Sequence, residues 1–321
     1  TSMKPVGGYF ELELSKGRHS YHEVSYTFKS GRSALHYIMR ICKPTLVYVP
    51  FYTCNALLQS FEAAGIAFRL YAIDEKLEPV NLPELANDEC FLYINYFGLK
   101  NATVNRLSAR YGDRFIADCT QAFFTKGNGR SWFFNSCRKF FGVPDGAYLY
   151  PPDNIQIKVV EDRNEGFTVE HLIKRFNGHV QEGYHAFKEN EKLCGPEIKG
   201  MSVISQHLLS HINYTEVIAS RRANFDCLHH LFKNQNQLAI ITGEESVPMV
   251  YPLITEHQID RNVLYENGFY IPTFWAEVKD ESKAGYETER RLAERLLPLP
   301  IDHRYSEMDM QRMAAVIQLT I

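Results

Sequence analysis

Short apolar runs alternate with amphipathic stretches between residues 31 and 150. The spacing of Leu35, Ile38 and Met39 predicts a helix, and the run TLVYV at 45–49, closed by Pro50, predicts a buried strand. The same reasoning predicts strands at 68–73, 90–96 and 115–117 and helices at 53–64 and 101–111. Because strands that alternate with helices form βαβ units, we expect a mostly parallel sheet with helices on both faces.

The pattern changes after Tyr150, where the sequence PPDN at 151–154 predicts a turn. Residues 169–231 show helical periodicity with few strand signals. Strands are predicted again at 247–253 and 270–274, with helices after Gln258, at 287–296 and at 306–319. We therefore predict an α/β protein with a large domain at 1–232 and a smaller C-terminal α/β domain at 233–321.

Composition and charge narrow the class of protein. The 321 residues carry a net charge of -3, and 45% are hydrophobic, which argues against a nucleic-acid partner. No apolar stretch reaches the ~20 residues that span a bilayer, so no membrane association is expected. The seven cysteines are scattered without a C-x-x-C pair, which argues against a disulfide framework and predicts a cytoplasmic protein. His207 and His211 stand four apart, but the stretch HLLSH lacks a glutamate, so no metal site is predicted.

An acidic residue lies at the end of one predicted strand. The apolar segment 115–117 runs into Asp118, and ligands of open α/β sheets bind at the carboxyl ends of strands. Asp118 could therefore pair with a cationic group of a bound cofactor. A structural acid that caps a turn or a helix explains the same pattern.

Lys139 follows Asp118 after 21 residues, among apolar neighbours that include Cys137, Phe140 and Phe141. Such surroundings predict a partly desolvated ammonium, and desolvation makes a lysine amine a better nucleophile. The alternative is an ordinary surface lysine whose stem alone is buried.

A third candidate is the start of the first predicted helix. Ser30 is a good N-cap, and Gly31 and Arg32 follow it. A glycine at a helix start lets backbone N–H groups approach an anion, which the helix dipole favours. A plain capped helix is the alternative, and the segment alone leaves both open.

Taken together, the three segments match what pyridoxal 5'-phosphate (PLP) requires, namely a phosphate site, an acid for the ring nitrogen and an amine-bearing lysine. Their order and motifs resemble the DegT/DnrJ/EryC1/StrS aminotransferases, the sugar aminotransferase branch of the PLP-dependent transferases of fold type I. The matching segments are SGRSAL at 30–35, VPFYT at 49–53, ADCTQ at 117–121, Ser136 with Lys139 and the DGA at 145–147, and LPLP at 297–300 followed by the YSEMDM at 305–310.

The resemblance implies a role for each matched residue. Lys139 would form the Schiff base with PLP and shuttle the proton, and Asp118 would keep the ring nitrogen protonated. Gln121 would bind the phenolic oxygen, while Gly31, Arg32 and Ser136 would contact the phosphate. Two departures stand out: Cys54 occupies the place of the usual ring-stacking aromatic, for which Tyr52 is a substitute, and the G-x-N-Y-R-M segment that reaches the partner subunit is absent.

The resemblance also implies a reaction and an assembly. The expected reaction moves an amino group from an amino acid, with glutamate as the family's donor, to a keto-sugar linked to a nucleotide, in a homodimer. Two alternatives stay open: a different PLP reaction, and a non-catalytic binding or regulatory protein of the same fold. Lys139 argues against the related dehydratases, which replace that lysine with histidine.

Overall fold

A computed structural model of the chain describes residues 8–320 except 11, 16, 18, 24, 25, 242, 244, 245 and 281–283. Its main sheet has seven strands: β1 (Tyr26–Phe28), β2 (Leu46–Pro50), β3 (Ala67–Tyr71), β4 (Glu89–Ile94), β5 (Phe115–Cys119), β6 (Trp132–Asn135) and β7 (Ala147–Tyr150). The spatial order is β1-β7-β6-β5-β4-β2-β3. Strands β2 to β6 run parallel, and only β7 runs against its neighbours. The predicted mostly parallel α/β sheet is confirmed.

The helices carry the end signals that the sequence predicts. They are α1 (Gly31–Cys42), α2 (Asn55–Ala64), α3 (Asn101–Tyr111), α4 (Glu170–Phe176), α5 (Val180–Leu193), α6 (Val203–Leu209), α7 (Tyr214–Phe232), α8 (Arg261–Glu266), α9 (Glu287–Arg295) and α10 (Glu307–Gln318). Ser30 caps α1 by accepting a hydrogen bond from Ser33 N–H, and Gly65 ends α2 with a positive φ of 68°. Ser306 and Asp309 form a capping box at α10.

One predicted strand is wrong. Residues 270–273 have no regular structure, and a turn follows at 274–275. Nη1 of Arg261 donates to the carbonyl oxygens of Ile271 and Pro272, at 3.2 and 3.1 Å. A guanidinium therefore satisfies backbone acceptors that a neighbouring strand would otherwise use, and Pro272 has no N–H to pair.

The C-terminal part forms a second, two-stranded sheet from β8 (Val250–Leu253) and β9 (Leu297–Pro300). Helix α7 packs against both β8 and α10. Buried side chains from the main sheet and from this part belong to one continuous hydrophobic core. The domain boundary at residue 232 stays a prediction. No helix in the described ranges has the length and apolar character to cross a membrane.

Candidate functional site

One edge of the main sheet collects the predicted site residues. Parallel strands end at the same edge, and Asp118 pairs in register with Ile94 of β4 and Phe134 of β6. Ser136 directly follows β6, so it lies at that edge, one residue beyond the pair of Cys119 and Asn135. Strands β1 and β6 are both antiparallel to β7, which lies between them. They therefore run in the same direction, and α1, which follows β1, starts at the same edge. This is where ligands bind in open α/β sheets.

Asp118 is buried, with only 4% of its surface exposed. Its Oδ1 accepts a hydrogen bond of 2.8 Å from Thr120 N–H. Burial raises the pKa of the Asp118 carboxyl, although the Lys139 ammonium and the bonds from Thr120 act in the opposite direction. The ionised carboxylate is therefore incompletely compensated, and a cation bound against it would be stabilised.

Lys139 lies beside Thr120 but not in an apolar pocket. Its Nζ donates to Thr120 Oγ1 over 3.1 Å, and the residue is exposed. The predicted partial desolvation of the ammonium is therefore wrong for the single chain. The cause is geometric, because the flanking Cys137 and Phe140 point into the core and leave Lys139 to point outward. An exposed amine is accessible to a carbonyl compound.

The backbone around Lys139 is anchored on both sides. Residues 137–139 form one 3-10 turn, and Cys137 N–H donates to Gly146 O over 2.9 Å. The Arg221 guanidinium stacks over the Phe140 ring, 4.6 Å from its centroid. Asp145 is fully buried and accepts hydrogen bonds from Ser202 N and Oγ, at 3.0 and 2.6 Å. These contacts fix the turn at Cys137–Lys139, called the lysine turn below, relative to the sheet edge.

Gln121 is buried beneath the site, and its Oε1 accepts a hydrogen bond of 2.9 Å from Phe97 N–H. This bond holds Phe97 in a left-handed conformation, with φ 58°. Because the carbonyl oxygen of Gln121 is engaged, its amide nitrogen is the group that can serve a ligand. An amide N–H can donate to a phenolate oxygen, which accepts.

Tyr52 and Cys54 occupy different surroundings. Tyr52 is fully buried, with Trp275 packed edge-to-face at 4.4 Å and Tyr96 stacked at 5.7 Å. Cys54 directly precedes α2 without a capping hydrogen bond from its side chain. Burial raises the pKa of its thiol, the Lys139 charge acts to lower this pKa, and the Asp118 charge acts to raise it. The sulfur of Cys54 thus lies within electrostatic reach of both site residues, whereas Tyr52 packs into the aromatic core.

The start of α1 lies against the same group of residues. A Cβ added to Gly31 would approach Thr120 Cγ2 to 3.0 Å and Asn135 O to 3.3 Å, so only glycine fits without displacement. The N–H groups of Gly31 and Arg32 have no acceptor within the helix, because they belong to its first turn. Partly exposed Ser136 follows Asn135.

The Arg32 guanidinium forms an ion pair with Glu191 of α5. Its Nη2 lies 2.6 Å from Glu191 Oε1, and its Nη1 donates to Gln59 over 3.2 Å. Oε2 of Glu191 lies 2.9 Å from Arg138 Nη2. Glu191 thus bridges two guanidinium groups, one from α1 and one from the lysine turn.

Three residues at the site have no predicted role: Thr120, Arg138 and Glu191. Thr120 bonds to both Asp118 and Lys139, and its place two residues after the strand-terminal acid was a usable signal. Arg138 directly precedes the lysine. Nothing near Glu191 in the sequence indicates its position, because its partner Arg32 lies 159 residues away.

Comparisons with known proteins identify the fold. Neither the family models nor the curated proteins include a match to this chain. Solved structures do match over most of its length, with sequence identities between 12% and 15%. The chain therefore has the fold of type I PLP-dependent transferases, as the resemblance implied.

Three of these structures illustrate the likeness. The sugar aminotransferase CalS13 from Micromonospora echinospora has a TM-score of 0.61 and 14% identity, covering 92% of this chain and 87% of its own. A DegT DnrJ EryC1 StrS aminotransferase from Brucella abortus has a TM-score of 0.63 and 14% identity, covering 92% and 86%. The PMP form of Spr1654 from Streptococcus pneumoniae has a TM-score of 0.66 and 13% identity, covering 94% and 88%.

Proposed function

We propose that this chain is a PLP-dependent aminotransferase that transfers an amino group from an amino acid to a keto-sugar linked to a nucleotide. The observation that carries the proposal is the placement of Asp118, Thr120 and Lys139 together at one sheet edge. CalS13 is a sugar aminotransferase by description, the Brucella abortus protein is a DegT DnrJ EryC1 StrS aminotransferase, and Spr1654 is in its PMP form. Fold alone does not set chemistry, so the site residues carry the argument.

The residues present fit PLP. Asp118 is a buried acid whose raised pKa would fall again against a protonated ring nitrogen. Lys139 offers an exposed amine, and the start of α1 offers N–H groups to a phosphate. PLP accepts the electron pair that is released when a bond to the substrate Cα breaks, and it carries the amino group between two substrates.

Residues of this chain would position the cofactor and move the proton that amino transfer requires. Lys139 would hold the cofactor through its amine, then accept the proton of the substrate Cα and deliver it to carbon C4′ of the cofactor. Thr120 would orient both Lys139 and Asp118 through the two bonds already present. Gln121 would donate to the phenolic oxygen, and Ser136 and Gly31 would contact the phosphate. Tyr52 stays the proposed ring-stacking residue, which requires the aromatic core around it to rearrange.

Several finer features belong to the same proposal. Glutamate is the proposed amino donor, a homodimer the proposed assembly and the cytoplasm the proposed location. Sedimentation of the purified protein tests the assembly, since a monomer at micromolar concentration would contradict it.

Lys139→Ala tests the central claim. Purified protein supplied with PLP should show the visible absorbance of a lysine-bound cofactor, and the variant should lack it. Addition of glutamate should then remove that band in the wild-type protein as the amino group is transferred. Lys100→Ala is a matched control, because Lys100 pairs with Glu78 away from the site; it should keep the absorbance. Wild-type protein that never takes up PLP would refute the proposal.

A binding or regulatory protein of the same fold is the second candidate. It is favoured by the commitment of Arg32 to Glu191 at the proposed phosphate position. Amino transfer distinguishes the two, because a regulatory protein would bind PLP and show no half-reaction with any amino donor.

A further inference from the structure

Two arginines converge on a single carboxylate at the edge of the proposed cofactor site. Arg32 is the second residue of α1, and Arg138 lies between Ser136 and Lys139 in the lysine turn. These are the two elements that carry the proposed phosphate contacts. Each guanidinium takes one oxygen of Glu191, at 2.6 and 2.9 Å. The geometry is that of a two-arginine site filled by an internal anion.

Arg138 is unusually placed for an arginine. Its side chain is only 10% exposed, and its guanidinium lies 5.4 Å from the centroid of the Phe187 ring. Within the described ranges of the chain, neither its Nε nor its Nη2 makes a hydrogen bond, so its contact with Glu191 is an ion pair only. A buried guanidinium with an unused donor is costly, and an anion with more oxygens than a carboxylate could satisfy it.

The Glu191 side chain can move out of this site more easily than the two arginine side chains can. Its side chain is 39% exposed, against 15% for Arg32. The site borders an open depression of about 710 Å³, so the carboxylate has solvent beside it. Burial acts to raise the pKa of Glu191, but the charges of Arg138 and Arg32 outweigh it and lower the pKa. The carboxylate is therefore ionised at neutral pH and competes with any other anion.

Because a dianionic phosphate carries more charge and more acceptor oxygens than a carboxylate, it would hold two arginines more strongly. The first-turn N–H groups of α1 beside Arg32 add donors that Glu191 does not use. We infer that Arg32 and Arg138 form the site for a phosphate monoester, and that Glu191 occupies this site in the unliganded chain and must be displaced. The inference rests on the proposed function, in which that monoester is the phosphate of PLP.

Glu191→Gln provides the test, because it keeps the shape and removes the competing charge. Inorganic phosphate is titrated into unliganded wild-type and variant protein, and the thermal midpoint is followed. The variant should bind phosphate about tenfold more tightly. Glu189→Gln is the matched control, because Glu189 lies on the same helix and pairs only with Lys192 in the described part of α5; it should behave as wild type.

A second pair of variants excludes a general effect of losing charge. Arg138→Gln combined with Glu191→Gln should lose the gained phosphate affinity, whereas Glu191→Ala should retain it. Equal or weaker phosphate binding by both Glu191 variants would overturn the inference and make Glu191 a residue that orients the arginines.

PLP itself separates this inference from the proposed function. Tighter PLP binding by Glu191→Gln, with unchanged binding of pyridoxal, which lacks the phosphate, supports both. If phosphate binds more tightly to the variant but neither protein takes up PLP, the anion site stands and the aminotransferase proposal fails. If PLP binds while phosphate affinity is unchanged, the aminotransferase proposal stands and the displacement of Glu191 is refuted.

Discussion

Asp118, the proposed partner of the PLP ring nitrogen, is a buried acid whose charged form costs stability. Burial at the end of β5 raises its pKa, so the folded protein disfavours the charged form that a pyridinium partner needs. The hydrogen bond from Thr120 N–H recovers only part of that cost. The bond itself is that of an aspartate closing a turn, and a cation at the proposed site would recover more of the cost.

Asp118→Asn should separate the proposed contribution of Asp118 to amino transfer from its cost to stability. The amide keeps the shape and can still accept from Thr120 N–H, but it carries no charge. Amino transfer should fall at least about 100-fold, the usual effect of removing one electrostatic contact to a reacting group. The unliganded variant should be at least as stable as wild type at pH 7, measured by urea denaturation.

The pH dependence of that stability has a definite sign. A carboxyl whose folded pKa is raised binds its proton more tightly in the folded state, so wild type loses stability as pH rises from the ordinary carboxyl pKa through the raised one. The difference in the free energy of unfolding between Asp118→Asn and wild type should therefore appear above that pH interval and vanish below it. Exposed Asp226 of α7 offers the control, and Asp226→Asn should show no such change. An Asp118→Asn variant less stable than wild type at every pH would contradict this account.

The conformation of the turn that carries Lys139 depends on how strand β7 begins after it. Gly146 precedes β7 with φ 124°, and an added Cβ would approach Met201 Cε to 3.0 Å and Cys137 Sγ to 3.2 Å. Cys137 begins the lysine turn, so crowding at Gly146 would be passed directly to Lys139.

Gly146→Ala should cost about 1–3 kcal/mol in the free energy of unfolding, because it combines a strained φ with a steric clash. It should also weaken PLP uptake by displacing the lysine turn. Gly65→Ala is the comparison, since Gly65 has a φ of 68° but nothing within 4 Å of its added Cβ. That variant should lose about 1 kcal/mol, the cost of a left-handed conformation for a residue with a Cβ, and keep its PLP absorbance. Equal PLP uptake by the two variants would show that the turn tolerates the clash.

Elements with strong local signals were predictable, and contacts between distant segments were not. Helix α3 falls at 101–111 as predicted, and α1 starts after the Ser30 cap. The short strands β1, β6, β7 and β9 are not predicted, because three or four residues give too little periodicity to recognise. The Arg32–Glu191–Arg138 bridge was also invisible, because its geometry depends on how α5 packs on α1 and on the lysine turn.

Among the described residues, the buried apolar side chains of the main sheet and of the C-terminal part form one continuous core. Helix α7 was assigned to the large domain, yet it packs on β8 and α10 of the C-terminal part. Buried Tyr52 and half-buried Trp275 join the segment after β2 to the C-terminal part, with ring centroids 4.4 Å apart. Since apolar burial is the main driving force for folding, a shared core couples the unfolding of both parts.

The chain's two tryptophans can test that coupling. Trp132 is buried in β6 of the main sheet, and Trp275 lies in the C-terminal part. Trp275→Phe leaves fluorescence from the main sheet alone, and Trp132→Phe leaves it from the C-terminal part. In each variant the fluorescence midpoint in urea should coincide with the midpoint from far-ultraviolet circular dichroism, as two-state unfolding requires. Saturation with PLP at about 100 times its dissociation constant should stabilise both variants by about 2.7 kcal/mol. A fluorescence transition of Trp275 that precedes the loss of helix would instead favour an independently unfolding C-terminal domain beyond residue 232. Because each variant is compared with itself, any destabilisation by the substitution does not affect the result.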